Sequence, residues 1–110
     1  MNWIKLNDEA ALETLKKLST RQPQVIFKHS TRCSVSSMIK NRLEKAQVPD
    51  DLSFHFLDLI AHRSLSDKLA VEFLVEHESP QVLLIKNGRC VYDQSHNGIA
   101  MEDIIEKANL

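Results

Sequence analysis

The sequence predicts an α/β fold with a central mixed sheet and helices on both of its faces. Three observations support this prediction. Short apolar runs typical of strands alternate with segments whose apolar residues recur at helical spacing. Strands separated by helices favour right-handed crossovers and parallel pairing. An Asn87-Gly88 pair between the last two strand-like segments indicates a tight hairpin, which adds one antiparallel pair.

The first strand and helix are marked by an apolar start and a capping residue. Trp3 to Leu6 is a short segment typical of a strand. Asn7 or Asp8 then offers a side-chain oxygen as N-cap, and Pro23 lies beyond the helix end because proline cannot continue a helix. The apolar face expected for this helix is Ala11, Leu12, Leu15 and Leu18.

The second strand and helix flank a cysteine. Val25 to Phe27 is a continuous apolar run, typical of a central strand covered on both faces. A helix is expected to begin after Cys33 and to end before Val48-Pro49, since the residue before a proline avoids helical backbone angles. Its expected apolar face is Val35, Met38, Ile39, Leu43 and Ala46.

A third strand and helix follow. Phe54 to Leu59 reads as the strand, and Ser64 to Asp67 resembles a capping box, which predicts a helix start there. The helical spacing fades at Glu76 to Glu78. The expected apolar face is Leu65, Leu69, Ala70, Phe73 and Leu74.

The last elements are a hairpin and a helix. Gln81 to Lys86 has an apolar centre, and Arg89 to Gln94 returns antiparallel after the turn. The full order, β-α-β-α-β-α-β-β-α, is that of the thioredoxin-like fold, and we expect residues 1–110 to form a single domain of this type. The apolar face expected for the last helix is Met101, Ile104, Ile105 and Ala108.

Composition excludes several classes of function. Apolar residues make up 43% of the chain, charged residues 26%, and the net charge is -1, which disfavours a nucleic-acid or anionic-membrane surface. No apolar stretch approaches the roughly 18 residues of a membrane span. Only two glycines, Gly88 and Gly98, are present, so glycine-rich nucleotide-binding loops are excluded. Two cysteines far apart form no disulfide scaffold, which predicts reduced thiols and a cytoplasmic location.

Cys33 is the candidate nucleophile. A lone cysteine is more often a small buried residue, but this one follows a buried strand and precedes a helix. The free amides and the positive dipole end of that helix favour the thiolate, which attacks disulfides. Arg32, with Lys28 and His29 nearby in sequence, is expected to add positive potential at the sulfur.

Ser36 lies three residues after Cys33, on the same side of the first helical turn. Its hydroxyl is expected to reach either the sulfur or a neighbouring amide. Because a serine stands here instead of a second cysteine, no disulfide can close across this turn. The chemistry at Cys33 is therefore predicted to stop at a mixed disulfide that a second thiol resolves.

Two further segments are expected at the same edge of the sheet. Pro80 precedes a strand that starts there, and the deduced fold favours a cis Ser79-Pro80 bond with backbone groups open to an extended partner. His29, His77 and His96 are placed in loops at this edge, but their spacings match no metal signature, so no metal site is predicted. The remaining histidines, His55 and His62, are expected to be structural or solvated.

These residues together resemble a known family. The segments His29 to Ser37 and His77 to Gln81, and Asn87-Gly88 followed by Tyr92 and His96, are similar to those of YtxJ-type monothiol bacilliredoxins, small thioredoxin-fold proteins of the bacillithiol system. Members of that family often carry proline directly after the reactive cysteine, where this chain has Ser34.

The resemblance implies a monothiol thiol-disulfide oxidoreductase that acts through Cys33. It would remove bacillithiol, or a similar low-molecular-weight thiol, from mixed disulfides on S-thiolated cytosolic proteins. Bacillithiol is then a co-substrate, and no tightly bound cofactor, nucleic acid or membrane is involved. The candidate catalytic residues are Cys33 and Ser36, and the candidate substrate-binding residues are Arg32, Ser79, Pro80 and His96.

Two other functions stay open at the level of sequence. One is a glutaredoxin-like iron-sulfur carrier, although the glycine and phenylalanine usual between the cysteine and serine of that group are absent here. The other is a non-catalytic interaction module that binds a partner at its exposed edge. Visible absorbance after anaerobic purification would indicate the iron-sulfur carrier. Ordinary alkylation kinetics at Cys33 would indicate the interaction module.

Cys90 is not expected to resolve the mixed disulfide. A two-residue turn at Asn87-Gly88 pairs Lys86 with Arg89 and Ile85 with Cys90. Cys90 then lies roughly 17 Å along the strand from the edge where Cys33 reacts. Since a disulfide requires Cα atoms within about 7 Å, Cys90 is predicted to be a structural residue.

Overall fold

A computed structural model describes all 110 residues and has one five-stranded sheet and four α-helices. The predicted order of elements is confirmed, with strand ends shifted by a residue or two; the third strand lies one residue earlier than expected. The elements are β1 (Trp3–Lys5), α1 (Glu9–Leu18), β2 (Gln24–His29), α2 (Ser34–Lys45), β3 (Ser53–Asp58), α3 (Arg63–Glu72), β4 (Gln81–Lys86), β5 (Arg89–Ser95), a 3-10 turn (His96–Gly98) and α4 (Met101–Ala108).

The strands are arranged in the order β1-β3-β2-β4-β5. Strand β3 pairs in parallel with β1 and β2, whereas β4 pairs antiparallel with both β2 and β5. The mixed sheet is confirmed, but it has two antiparallel pairs where the sequence led us to expect one. The reason is that α3 and the segment after it return the chain to the edge at which β2 and β3 end, so β4 must run back along β2.

Helices cover both faces of the sheet, as predicted. One apolar core lies between the sheet and α1 and α3, and the other between the sheet and α2 and α4. Successive residues of β2 alternate between the two, with Ile26 in the first and Val25 and Phe27 in the second. Strand β2 is therefore buried along its whole length, and any polar side chain near its end is buried with it.

One predicted core position in α1 and one in α2 are wrong. Leu18 is 40% exposed and Met38 is 47% exposed. At 3.6 residues per turn, Leu18 lies about 120° around α1 from the buried Leu12, and Met38 lies on the opposite side of α2 from the buried Leu43. On the buried face of each helix, one position is instead occupied by a serine: Ser19 at the C-cap of α1 and Ser36 in α2.

The predicted bounds of α3 are also wrong. The helix begins at Arg63 with His62 as N-cap, because the chain has already turned at Asp58, whose carboxylate accepts hydrogen bonds from the amides of Ile60 and Ala61. At its other end, Leu74 adopts a left-handed conformation with φ 55° and is 91% exposed, so it leaves the apolar face.

The termini of two other elements match expectation. Asp8 is the N-cap of α1, where its carboxylate accepts a hydrogen bond from the Ala11 amide at 2.8 Å. Asn87 and Gly88 both have positive φ, as a two-residue hairpin turn requires. The Asn87 and Gly88 amides donate to the Ser19 carbonyl and hydroxyl at 2.9 and 2.8 Å, which binds this turn to the end of α1.

None of the helices is long and apolar enough to cross a membrane.

Candidate functional site

Cys33 occupies the N-cap position of α2 and is partly exposed. Its backbone is extended, and its carbonyl accepts the first helical hydrogen bond from the Ser37 amide at 3.2 Å. The side chain makes no capping hydrogen bond. The sulfur is thus attached at the first turn of a helix, where free amides and the dipole stabilise negative charge.

Ser36 is fully buried beneath this turn. Its hydroxyl oxygen accepts a hydrogen bond from the Ser30 amide at 3.1 Å and lies 2.7 Å from Nδ1 of His29. Of the two partners expected for the hydroxyl, the structure gives it the neighbouring amide. Ser36 therefore holds the segment between β2 and Cys33 in place.

His29 is the last residue of β2, not a loop residue as the sequence suggested. Its ring lies against Phe27 and Phe56, with centroid separations of 5.8 and 5.4 Å. Burial lowers the pKa of His29, and the nearby Lys40 cation lowers it further. We therefore assign a neutral imidazole whose Nδ1 accepts a hydrogen bond from the Ser36 hydroxyl.

The segment from residue 75 to 80, called the Pro80 loop below, reaches the same edge of the sheet. The register pairs Lys28 with Gln81, so Pro80 lies where β2 ends. The predicted cis Ser79-Pro80 bond is confirmed. The proline itself is buried and its carbonyl accepts from the His96 amide at 3.0 Å. The backbone groups of Ser79, like those of residues 76–78, bond to no other backbone group, and Ser79 is the one next to the proline.

The other candidate substrate-binding residues lie around this edge. Arg32 is exposed, and its own amide donates to the Ser30 hydroxyl at 3.4 Å. His96 is more than half exposed, and its Nε2 lies 3.6 Å from a carboxylate oxygen of Glu78. The two side chains form an ion pair only with a protonated imidazole. The hydroxyl of Ser79 is buried and has no hydrogen-bond partner.

Lys28 and His29, which were expected to add positive potential at the sulfur, each contact another side chain. Lys28 is completely buried and its amino group lies 3.2 Å from Nδ1 of His77, while His29 is neutral and bonded to Ser36. The alternation of β2 sends Lys28 to the face opposite His29 and α2, and burial lowers the pKa of His29, which keeps its imidazole neutral. Arg32 remains the cation next to Cys33 in the chain.

The histidines do not converge on a common point. His29, His77 and His96 face Ser36, Lys28 and Glu78 respectively. No group of three His, Cys, Asp or Glu side chains is arranged to hold a metal ion. His55 is structural as expected: it is buried in β3, lies 2.7 Å from the Gln24 side-chain oxygen, and has a pKa lowered by burial to about 4.

Cys90 lies away from this edge. The predicted register is confirmed, since Ile85 pairs with Cys90 and Lys86 with Arg89. Both cysteines are free thiols. Cys90 packs against the core beneath α1 and α3, its Sγ donates to the Tyr92 carbonyl at 3.3 Å, and burial raises the pKa of its thiol to about 11.

Sequence reasoning missed both buried pairs next to the site, His29 with Ser36 and Lys28 with His77. A signal was available, because two polar residues at the end of an apolar central strand must both be buried, one on each face. Their partners could not be predicted, since Lys28 and His77 are 49 residues apart and meet only when β4 is placed beside β2.

Solved structures of three other proteins have a similar fold. A protein described as an oxidoreductase with a thioredoxin fold is 27% identical, with a TM-score of 0.80 over 94% of this chain and 91% of that one. Thioredoxin from Schistosoma mansoni is 25% identical, with a TM-score of 0.72 over 98% and 99% of the two chains. Thioredoxin from Fasciola hepatica is 20% identical, with a TM-score of 0.77 over 96% of both.

The sequence itself matches one protein family over nearly its whole length. The family is described as Monothiol bacilliredoxin BrxC, and the match covers residues 4–104, which include Cys33, Ser36 and the Pro80 loop. Together with the thioredoxin-like fold, this match supports a thiol redox function. The chain belongs to the monothiol bacilliredoxin family.

Proposed function

We propose that the protein is a thiol-disulfide oxidoreductase that removes bacillithiol from mixed disulfides on cytosolic proteins. The observation that carries this proposal is the pairing of a partly exposed Cys33 at the start of α2 with a buried, fully engaged Ser36 three residues later. The chain has an attacking thiol at this edge and no second thiol there. Such a site transfers one thiol group at a time.

The first step is an exchange at sulfur. The Cys33 thiolate attacks the bacillithiol sulfur of the mixed disulfide, forming a new S–S bond as the old one breaks. The electron pair of the broken bond leaves with the cysteine of the substrate protein, which takes up a proton. The products are a reduced substrate protein and Cys33 in a disulfide with bacillithiol.

A second bacillithiol regenerates Cys33. Its thiolate attacks the bacillithiol sulfur held on Cys33, and bacillithiol disulfide forms while the electron pair returns to Cys33. Over both steps one mixed disulfide and one bacillithiol thiol give one protein thiol and bacillithiol disulfide, so no other oxidant or reductant is required. We assign this cycle to the cytoplasm, where low-molecular-weight thiols keep protein thiols reduced.

The remaining candidate residues bind the substrate in this proposal. The open backbone groups of Ser79 pair with an extended segment of the substrate protein, as an added strand would. Pro80 fixes the direction in which that segment runs, and its own carbonyl is already bonded to His96. Arg32 and His96 supply exposed polar groups for the low-molecular-weight thiol.

Mass spectrometry of the intact protein tests the proposal. After exposure to bacillithiol disulfide, and separately to glutathione disulfide, we expect a single adduct at Cys33, formed faster with bacillithiol. Cys33→Ser should give no adduct, whereas Cys90→Ser should behave like the unmodified chain. Equal rates with the two disulfides would contradict the bacillithiol assignment, and absence of any adduct at Cys33 would contradict the redox site.

A further inference from the structure

The Pro80 loop has no backbone hydrogen bonds of its own between its two ends. The Val75 amide donates to the Ala70 carbonyl, the Pro80 carbonyl accepts from the His96 amide, and residues 76–79 in between make no backbone-to-backbone hydrogen bond. The position of this stretch, which carries Ser79, must therefore be fixed by side chains.

Two buried side chains of the sheet reach this stretch. The Gln81 side-chain amide donates to the Glu76 carbonyl at 3.0 Å, and the Lys28 amino group lies 3.2 Å from Nδ1 of His77. Gln81 is 1% exposed and Lys28 is not exposed at all. The two are paired on neighbouring strands, so they form one attachment point for two consecutive residues of the loop.

The buried amine of Lys28 is costly for the fold. It forms no ion pair with a carboxylate, and its only hydrogen-bonding contact is His77. A methionine would fill the same space without the desolvation penalty of an amino group. Because burying this amino group costs free energy and its one hydrogen-bonding contact is His77, we expect the role of Lys28 to lie in that contact.

We propose that Lys28 is a positioning residue of the reaction: through His77 it holds the Pro80 loop, and with it Ser79, in the place where a disulfide substrate binds. This inference rests on the proposed function, because the loop is taken to be the substrate-binding edge. Lys28 itself does not touch the reacting sulfur.

The electrostatic surroundings are consistent with this role. Burial lowers the pKa of Lys28 to about 8, while Asp67 in α3 and Cys90 in β5 act in the opposite direction. Burial also lowers the pKa of His77, as do the Lys28 and Arg63 cations, against Asp67 and Glu78. At neutral pH the protonated Lys28 therefore donates to a neutral His77, and a bond with a charged donor is stronger than a neutral one.

The test compares Lys28→Met with Lys68→Met, a matched removal of a lysine from the outer part of α3. For a bacillithiolated peptide, we expect Lys28→Met to raise KM about tenfold, which is what loss of one charge-assisted hydrogen bond supports. Alkylation of Cys33 by iodoacetamide, a small reagent that needs no loop, should stay within about twofold of the unmodified rate. Lys68→Met should change neither quantity.

Replacement of His77 separates positioning from general damage to the fold. His77→Leu should raise KM as Lys28→Met does, whereas His77→Gln keeps an acceptor for the amino group and should restore KM. The double variant Lys28→Met with His77→Leu should be no worse than either single one, because both act through the same contact. If Lys28→Met does not fold, His77→Leu against His77→Gln provides the same comparison.

Amide chemical shifts give a readout that does not depend on the substrate. In Lys28→Met the amides of residues 76–79 should shift, and the pKa of His77 should rise, because the neighbouring cation is gone. The inference would be overturned if KM were unchanged in Lys28→Met, or if the alkylation rate of Cys33 fell in this variant by the same factor by which KM rose. If the unmodified protein does not act on the peptide, the proposed function fails, and unshifted loop amides in Lys28→Met would then overturn this inference separately.

Discussion

The imidazole of His29 and the hydroxyl of Ser36 are 2.7 Å apart beneath the turn that carries Cys33. Ser36 also accepts from the Ser30 amide, so one buried hydroxyl links the end of β2, the approach to the nucleophile and the first turn of α2. The residue that stands in the place of a second cysteine is thereby a fixed part of the scaffold.

Removing that hydroxyl should destabilise the protein. Ser36→Ala leaves the Ser30 amide and the His29 nitrogen without partners in a buried site, which costs about 1–3 kcal/mol. Urea unfolding measures the change. Ser37→Ala is the matched control, because Ser37 is exposed in the same turn and its loss should stay within about 0.5 kcal/mol. Equal stability of the two variants would contradict the role given to Ser36.

Ser36→Cys should convert the site into a dithiol. Cysteines three residues apart at a helix start lie on the same side of the turn, so Cys33 can form an intramolecular disulfide with the new thiol. After treatment with bacillithiol disulfide, mass spectrometry should show the protein lighter by two hydrogens instead of carrying an adduct. Asn41→Cys is the control, because this exposed position lies about 12 Å further along α2, too far from Cys33 for a disulfide, so this variant should keep the adduct on Cys33. Identical products from the two variants would refute the geometry.

The two thiols should differ strongly in reactivity. Burial raises the pKa of Cys90 from 9.0 to about 11, which reduces its thiolate at neutral pH about a hundredfold. Iodoacetamide at neutral pH is therefore expected to label Cys33 alone in the folded protein, and Cys90 only after denaturation. Peptide mapping of the alkylated protein decides the matter, and early labelling of Cys90 would count against its burial.

Acid should weaken the fold through His55. Burial lowers the pKa of this residue from 6.5 to about 4, so the unfolded chain takes up a proton at higher pH than the folded one. Its contribution to stability is complete above pH 6.5 and is lost as the pH falls from there towards 4, by roughly 3 kcal/mol in all. Urea unfolding at several pH values measures this slope. In His55→Gln the slope should be smaller, and an unchanged slope would rule out His55 as the cause.

The fold was predictable from local signals because each of them acts over a few residues. The turn residues Asn87 and Gly88 set the hairpin register, and Asp8 sets the start of α1. The errors in the predicted helix cores arose where an apolar residue faces solvent and a polar one faces the sheet. At Leu18 and Met38 an apolar side chain is exposed, while Ser19 and Ser36 are buried because each has a hydrogen-bond partner.

The site was predictable only in part for a related reason. The place of Cys33 follows from the order of strand and helix, and the edge reached by Pro80 follows from the topology. The side chain of Lys28 could not be placed, since charge suggested a role beside the sulfur and only the alternation of β2, combined with the position of β4, directs it to His77.

The hydrogen bonds between the hairpin turn and Ser19 make the two ends of the sheet different in how firmly the chain is held. Two hydrogen bonds hold the turn to α1, at the end of the sheet opposite the Cys33 edge. At the Cys33 edge the chain is irregular and is held by side chains such as Ser36, Lys28 and Gln81. A substrate protein that binds at the Pro80 loop therefore leaves the far end undisturbed. Amide exchange should be slow at Asn87 and Gly88, whose amides are bonded to Ser19, and fast at residues 76–79, which have no backbone hydrogen bonds.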